Sequence, residues 1–70
     1  MRKLTKDEIN DVLKLSNEMQ KKHKDYRKGQ AFFNSLHRLY PDVANKIRGT
    51  DKDPFYIDEK VNECIAFVKK

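Results

Sequence analysis

Asp25-Tyr26-Arg27-Lys28-Gly29-Gln30-Ala31-Phe32-Phe33-Asn34-Ser35-Leu36-His37-Arg38-Leu39-Tyr40 is the stretch that decides the fold. Phe32, Phe33, Leu36, Leu39 and Tyr40 recur at helical spacing and form a broad apolar face, the expected centre of the core. Arg27, Gln30 and Asn34 stand three and four residues apart and share a second, polar face beside it. Asp25 reads as the N-cap, so this helix is predicted to begin at Tyr26. Gly29 is out of place inside a helix, where it costs roughly 1 kcal/mol against alanine. Its expected reason is the close approach of another backbone or of a ligand.

Upstream, Thr5-Lys6-Asp7-Glu8 is a capping box, with Leu4 and Ile9 placed as a hydrophobic staple. Ile9, Val12, Leu13, Ser16 and Met19 then form a stripe, and the predicted helix runs from Lys6 to about Lys22. Downstream, Pro41 ends the central helix and starts a short one, to Arg48, carrying Val43, Ala44 and Ile47. Gly49 supplies the left-handed residue that closes it. Thr50-Asp51-Lys52-Asp53-Pro54 is turn chemistry, with Asp53 able to cap. After Asp58, the apolar positions Val61, Cys64, Ile65 and Val68 predict a last helix, with Phe67 broadening the stripe. No strand pattern, repeat or linker interrupts this order. The expected fold is all-α: one domain over residues 1–70, a small bundle of three main helices plus one short helix (α-α-short α-α).

Seventy residues bury a modest core, and 37% hydrophobic content is low for a globular chain. Self-association into a homo-oligomer would ease that shortage. The net charge is +5. Residues 1–28 hold nine Lys/Arg against five Asp/Glu, whereas residues 29–70 hold seven against six. Lys21, Lys22, Lys24, Arg27 and Lys28 are the densest part. They read either as a patch for phosphate or an acidic partner, or as a solvated helix face. The lone cysteine, Cys64, excludes an intrachain disulfide and reads as a buried, inert thiol in a reducing compartment. No apolar run approaches a membrane span or signal core, so a cytoplasmic protein is expected.

Catalytic chemistry finds little to work with. A nucleophile needs a base and an orienting group, and His23 and His37 sit at no spacing that supplies them. Two histidines fourteen apart and one cysteine do not make a metal site. There is no phosphate-binding loop or dinucleotide fingerprint. No enzyme activity, metal or cofactor is expected. The short helix after Pro41 offers Asn45, Lys46 and Arg48 against Asp42, thin for a DNA-recognition helix.

Two polar-aromatic segments remain: Arg27 to Leu36, and Gly49-Thr50-Asp51-Lys52-Asp53-Pro54-Phe55-Tyr56. Arginine can fork onto a carboxylate or phosphate, with glutamine and asparagine donating and accepting beside it. The same three side chains could instead brace the Gly49–Tyr56 loop. Phe55 and Tyr56 read as rings plugged into the bundle, and an exposed Tyr56 would be an interface anchor. The string Arg27-x-Gly29-Gln30-x-x-Phe33-Asn34-x-Leu36, followed by Pro41, Ala44, Ile47, Gly49-Thr50 and Asp53-Pro54-Phe55-Tyr56, resembles a group of short uncharacterised proteins of bacteriophages, prophages and bacteria. The resemblance spans residues 26–58 and brings no activity with it. It implies a small phage or mobile-element accessory protein acting in the host cytoplasm, with counter-defence or host takeover among the expected roles.

The expected function is therefore binding, with a host or phage protein as partner and no membrane. The candidate binding residues are Arg27, Gln30, Asn34, Arg48, Tyr56, Lys21, Lys22 and Lys24. The first rival is a small ligand such as a nucleotide, held by Arg27, Gln30, Asn34 and Arg48 with Tyr56 stacking. The second rival is nucleic acid on the basic N-terminal tract.

Overall fold

A computed structural model describes residues 2–70. It is a small all-α bundle with α1 at Lys6–Lys22, α2 at Lys28–Leu39, α3 at Pro41–Ile47 and α4 at Lys60–Val68. Its core joins Leu4, Ile9 and Val12 to Phe32, Phe33 and Leu36, then to Val43, Ala44 and Ile47, and finally to Val61, Cys64 and Val68. Each helix thus presents one stripe to a shared centre, and α2 packs against all three others.

α1 starts where the capping box places it. The Thr5 hydroxyl accepts from the Glu8 amide at 3.2 Å, and the Glu8 carboxylate accepts from the Thr5 amide at 2.8 Å. That second bond, with help from Arg2, holds the Glu8 carboxyl below its ordinary range. Ser16 is buried in the stripe, as its spacing requires.

α2 begins two residues later than the Asp25 reading. Residues 23–26 form a turn closed by the Tyr26 amide donating to the His23 carbonyl at 2.9 Å, with the two rings stacked at 4.6 Å. Arg27 stands at the N-cap, and its side chain makes no capping bond. The capping comes from elsewhere in the chain: the Gly29 amide donates to Asp58 Oδ1 at 3.0 Å. A distant carboxylate therefore decides the start of the helix, satisfying an amide that has no partner within it. Leu39 does not join the core. It is the last residue of α2, where the chain turns into α3, and it is 40% exposed.

α3 opens on Pro41 and closes on Gly49, whose φ of 77° is the left-handed conformation a C′ residue adopts. Of the expected core positions, Phe33, Leu36, Ile47 and Val68 are buried, and Ile65 packs half-buried against them. Cys64 is fully enclosed, and burial pushes its thiol up to about 12, so it packs as an apolar group.

The segments flanking the bundle are tied together. The Leu4 amide donates to the Val68 carbonyl at 2.7 Å, and the Lys70 amide donates to the Leu4 carbonyl at 2.8 Å, an isolated parallel bridge. Beside it, Arg2 forks onto Asp42 with bonds of 2.9 and 3.0 Å and lies 5.2 Å from the Tyr40 ring centre. Lys3 donates to the Phe67 carbonyl and covers that ring at 4.5 Å. None of the described helices is long and apolar enough to cross a membrane.

Candidate functional site

The loop from Gly49 to Asp58 is shaped first by its own side chains, and Asp58 ties it to α2 through the Gly29 amide. Asp53 bridges it: Oδ2 accepts from the Gly49 amide at 2.8 Å and Oδ1 accepts from the Phe55 amide at 3.0 Å. The Thr50 hydroxyl donates to the Ile47 carbonyl at 2.6 Å and accepts from the Lys52 amide at 3.2 Å. Lys60 Nζ donates to the Asp51 carbonyl at 2.8 Å. Pro54 is buried directly over Gly29. A Cβ on Gly29 would collide with the Pro54 carbonyl oxygen and stand 3.1 Å from its carbon. The glycine is there because the loop backbone passes where a side chain would be.

This arrangement leaves a cleft of about 240 Å³ between α2 and the loop. Phe33 and Phe55 line it, meeting edge to face at 5.9 Å, and Phe55 continues edge to face into Tyr56 at 4.8 Å. Arg48 lies over the Phe33 ring, 5.5 Å from its centre. Asn34 and Asp53 complete the walls. Tyr56 is 75% exposed, so the loop plugs one ring, Phe55, and holds the other out in solvent.

The candidate residues part company here. Asn34, Arg48 and Tyr56 meet in the cleft. Arg27 and Gln30 lie outside it. Arg27 reaches back to the loop with a long bond of 3.4 Å to the Phe55 carbonyl. Lys21 and Lys22 at the end of α1 and Lys24 in the turn after it are exposed, and Lys22 lines a second hollow of about 360 Å³ between α1 and α2. Arg38, His23, Tyr26, Glu18 and Asn34 also line that hollow, so Asn34 belongs to both. Arg38 and the ring pair His23–Tyr26 were not among the candidates. Arg38 could have been found from its spacing, one turn beyond Asn34 on the same face.

The electrostatics follow from what is paired. Among the described residues the ion pairs are Arg2–Asp42 and Arg2–Glu8. Neither reaches Arg48, Arg38 or Lys22. Of the loop's three carboxylates, Asp53 and Asp58 are spent on backbone amides. Among the described residues, no three His, Cys, Asp or Glu side chains converge as a metal-binding group. The chain matches no protein-family model, no curated protein and no solved structure.

Proposed function

We propose that this protein is a small binding module that engages a protein partner through the α2–loop cleft. One observation carries the reading: Arg48 and Tyr56 line a cleft with aromatic walls, the guanidinium making no ion pair among the described residues and the ring largely in water. Folding alone gains little from either. A guanidinium over a ring and an exposed tyrosine are what interfaces use as anchors. The resemblance across residues 26–58 covers both cleft walls and suits a phage or mobile-element accessory protein whose partner is a host or phage protein.

The test is a capture experiment. The wild-type chain and the Arg48→Ala and Tyr56→Ala variants are immobilised and exposed to lysates of infected and uninfected host cells. A partner retained by the wild type and lost from both variants supports the reading. A partner retained equally by all three overturns the assignment of the cleft.

The co-location of Tyr56, Arg48 and Asn34 also favours a second reading, a nucleotide with its base on the ring and its phosphate on the guanidinium. Absorbance near 260 nm that co-purifies with the protein through high salt would select it, because a polymeric nucleic acid would be released by the salt.

A further inference from the structure

The cleft and the α1–α2 hollow share one wall, and that wall is Asn34. On one side of it stands Arg48. On the other stand Arg38, one helical turn along α2, and Lys22 at the end of α1. Asn34 itself is half-buried, and its side chain makes no hydrogen bond among the described residues. Its amide offers both donors and acceptors where the two hollows meet.

Resting on the proposed function above, we infer that the two hollows form one bipartite groove for an extended acidic segment of the partner protein. Its carboxylates would meet Arg48 at one end and Arg38 with Lys22 at the other, and its backbone would cross Asn34. Charge complementarity supports the occupant: the two halves bring three cations, Arg48, Arg38 and Lys22, none in an ion pair among the described residues. Glu18 in the α1–α2 hollow and Asp53 in the cleft stand where backbone N–H groups of the segment, absent from a phosphodiester chain, can donate to a carboxylate. Leu15 and Met19 in one half and Phe33 in the other also supply apolar contacts for the side chains between the acids.

Fluorescence polarisation with labelled probes tests this. The first probe is a peptide of alternating Glu and Leu, about twelve residues long. The second is the same peptide with Gln for Glu, and the third is single-stranded oligo-dT of similar length. The proteins are wild type, Arg48→Ala, Arg38→Ala and Lys14→Ala, each checked by a thermal melt. Lys14 is exposed on α1 and lines neither hollow. The expected result is binding of the Glu peptide, little of the Gln peptide, and a loss of about tenfold for each arginine variant, as for a charge-assisted contact. Lys14→Ala should stay within about twofold of wild type. If Arg38→Ala is as silent as Lys14→Ala while Arg48→Ala weakens binding, the bipartite groove is overturned and the cleft stands. If oligo-dT binds more tightly than the Glu peptide, or no peptide binds, the acidic-segment occupant is overturned. The capture experiment with Arg48→Ala then decides separately whether the cleft is a protein site.

Discussion

The two sides of this small bundle treat their charges in opposite ways. At the seam joining the residues before α1 to the end of α4, the polar side chains of Arg2, Lys3 and Thr5 all have internal partners. The Thr5–Glu8 box is reciprocal, Arg2 forks onto Asp42, and Leu4 exchanges backbone bonds with Val68 and Lys70. At the cleft between α2 and the 49–58 loop, the carboxylates serve the backbone, and Arg48, Asn34 and Tyr56 are left facing outward. A seam spends its polar groups on holding the fold. A surface that keeps cations and a ring unspent has them available for something else.

The largest expected effect sits where the two sides share a core. Phe33 is buried and also lines the cleft. Phe33→Ala should cost roughly 3–5 kcal/mol, enough to abolish folding in a domain this small. Amide spectra of the variant would collapse to the narrow dispersion of an unfolded chain. Retained dispersion would show that the seam alone can hold the bundle.

Gly29→Ala comes next. Helix propensity favours the alanine by roughly 1 kcal/mol, but the new Cβ overlaps the Pro54 carbonyl. Backbone must move, and overpacking of this kind costs about 1–3 kcal/mol. The Gly29–Asp58 bond would be strained with it. Denaturant melts should show a clear net loss. A stabilised variant would mean that the loop yields freely and the cleft has no fixed shape.

These two positions show what was legible beforehand. The helical stripes, the capping box, Pro41 at the start of α3 and Gly49 at its end are local chemistry, so residue spacing was enough to find them. The close approach at Gly29 could be expected in kind, since a glycine inside a strong helix needs a reason. Its partner could not, because Pro54 is distant in sequence and nothing local links them. For the same reason Asp25 was the natural cap for α2, while the actual carboxylate comes from Asp58. The cleft was legible in part. Asn34, Arg48 and Tyr56 do meet, yet helical spacing grouped Asn34 with Arg27 and Gln30, and only the loop's path separates them.

On the seam, Thr5→Ala should lower stability by about 0.5–2 kcal/mol, the range for a lost N-cap. The seam should also respond to acid. Arg2 holds the Asp42 carboxyl below its ordinary range, and the Thr5 amide does the same for Glu8. A carboxyl lowered in the folded state contributes stability above its unfolded value, about pH 4. That contribution is lost as the pH falls through the lower folded value. Melting temperatures should therefore drop as pH falls below about 4, and less steeply in Asp42→Asn, which has already lost the linkage. Parallel slopes for the two proteins would mean that the Arg2 fork is frayed in solution.

The smallest expected effect is the one that separates the two sides most sharply. Arg48→Ala removes a guanidinium that makes no ion pair among the described residues and only covers an aromatic ring. Exposed contacts of this kind contribute about 0.5–1 kcal/mol at most, and a surface substitution away from caps and cores commonly changes stability by less than about 0.5 kcal/mol. Arg2→Ala, by contrast, breaks a two-bond fork and uncovers Tyr40. Melts of the two variants under identical conditions should place Arg48→Ala beside wild type and Arg2→Ala measurably below it. An exposed arginine whose loss leaves the fold untouched is free to serve a partner, and one whose loss unravels a seam is already in use. If the order were reversed, Arg48 would be bracing the loop in solution, and the cleft would be another seam.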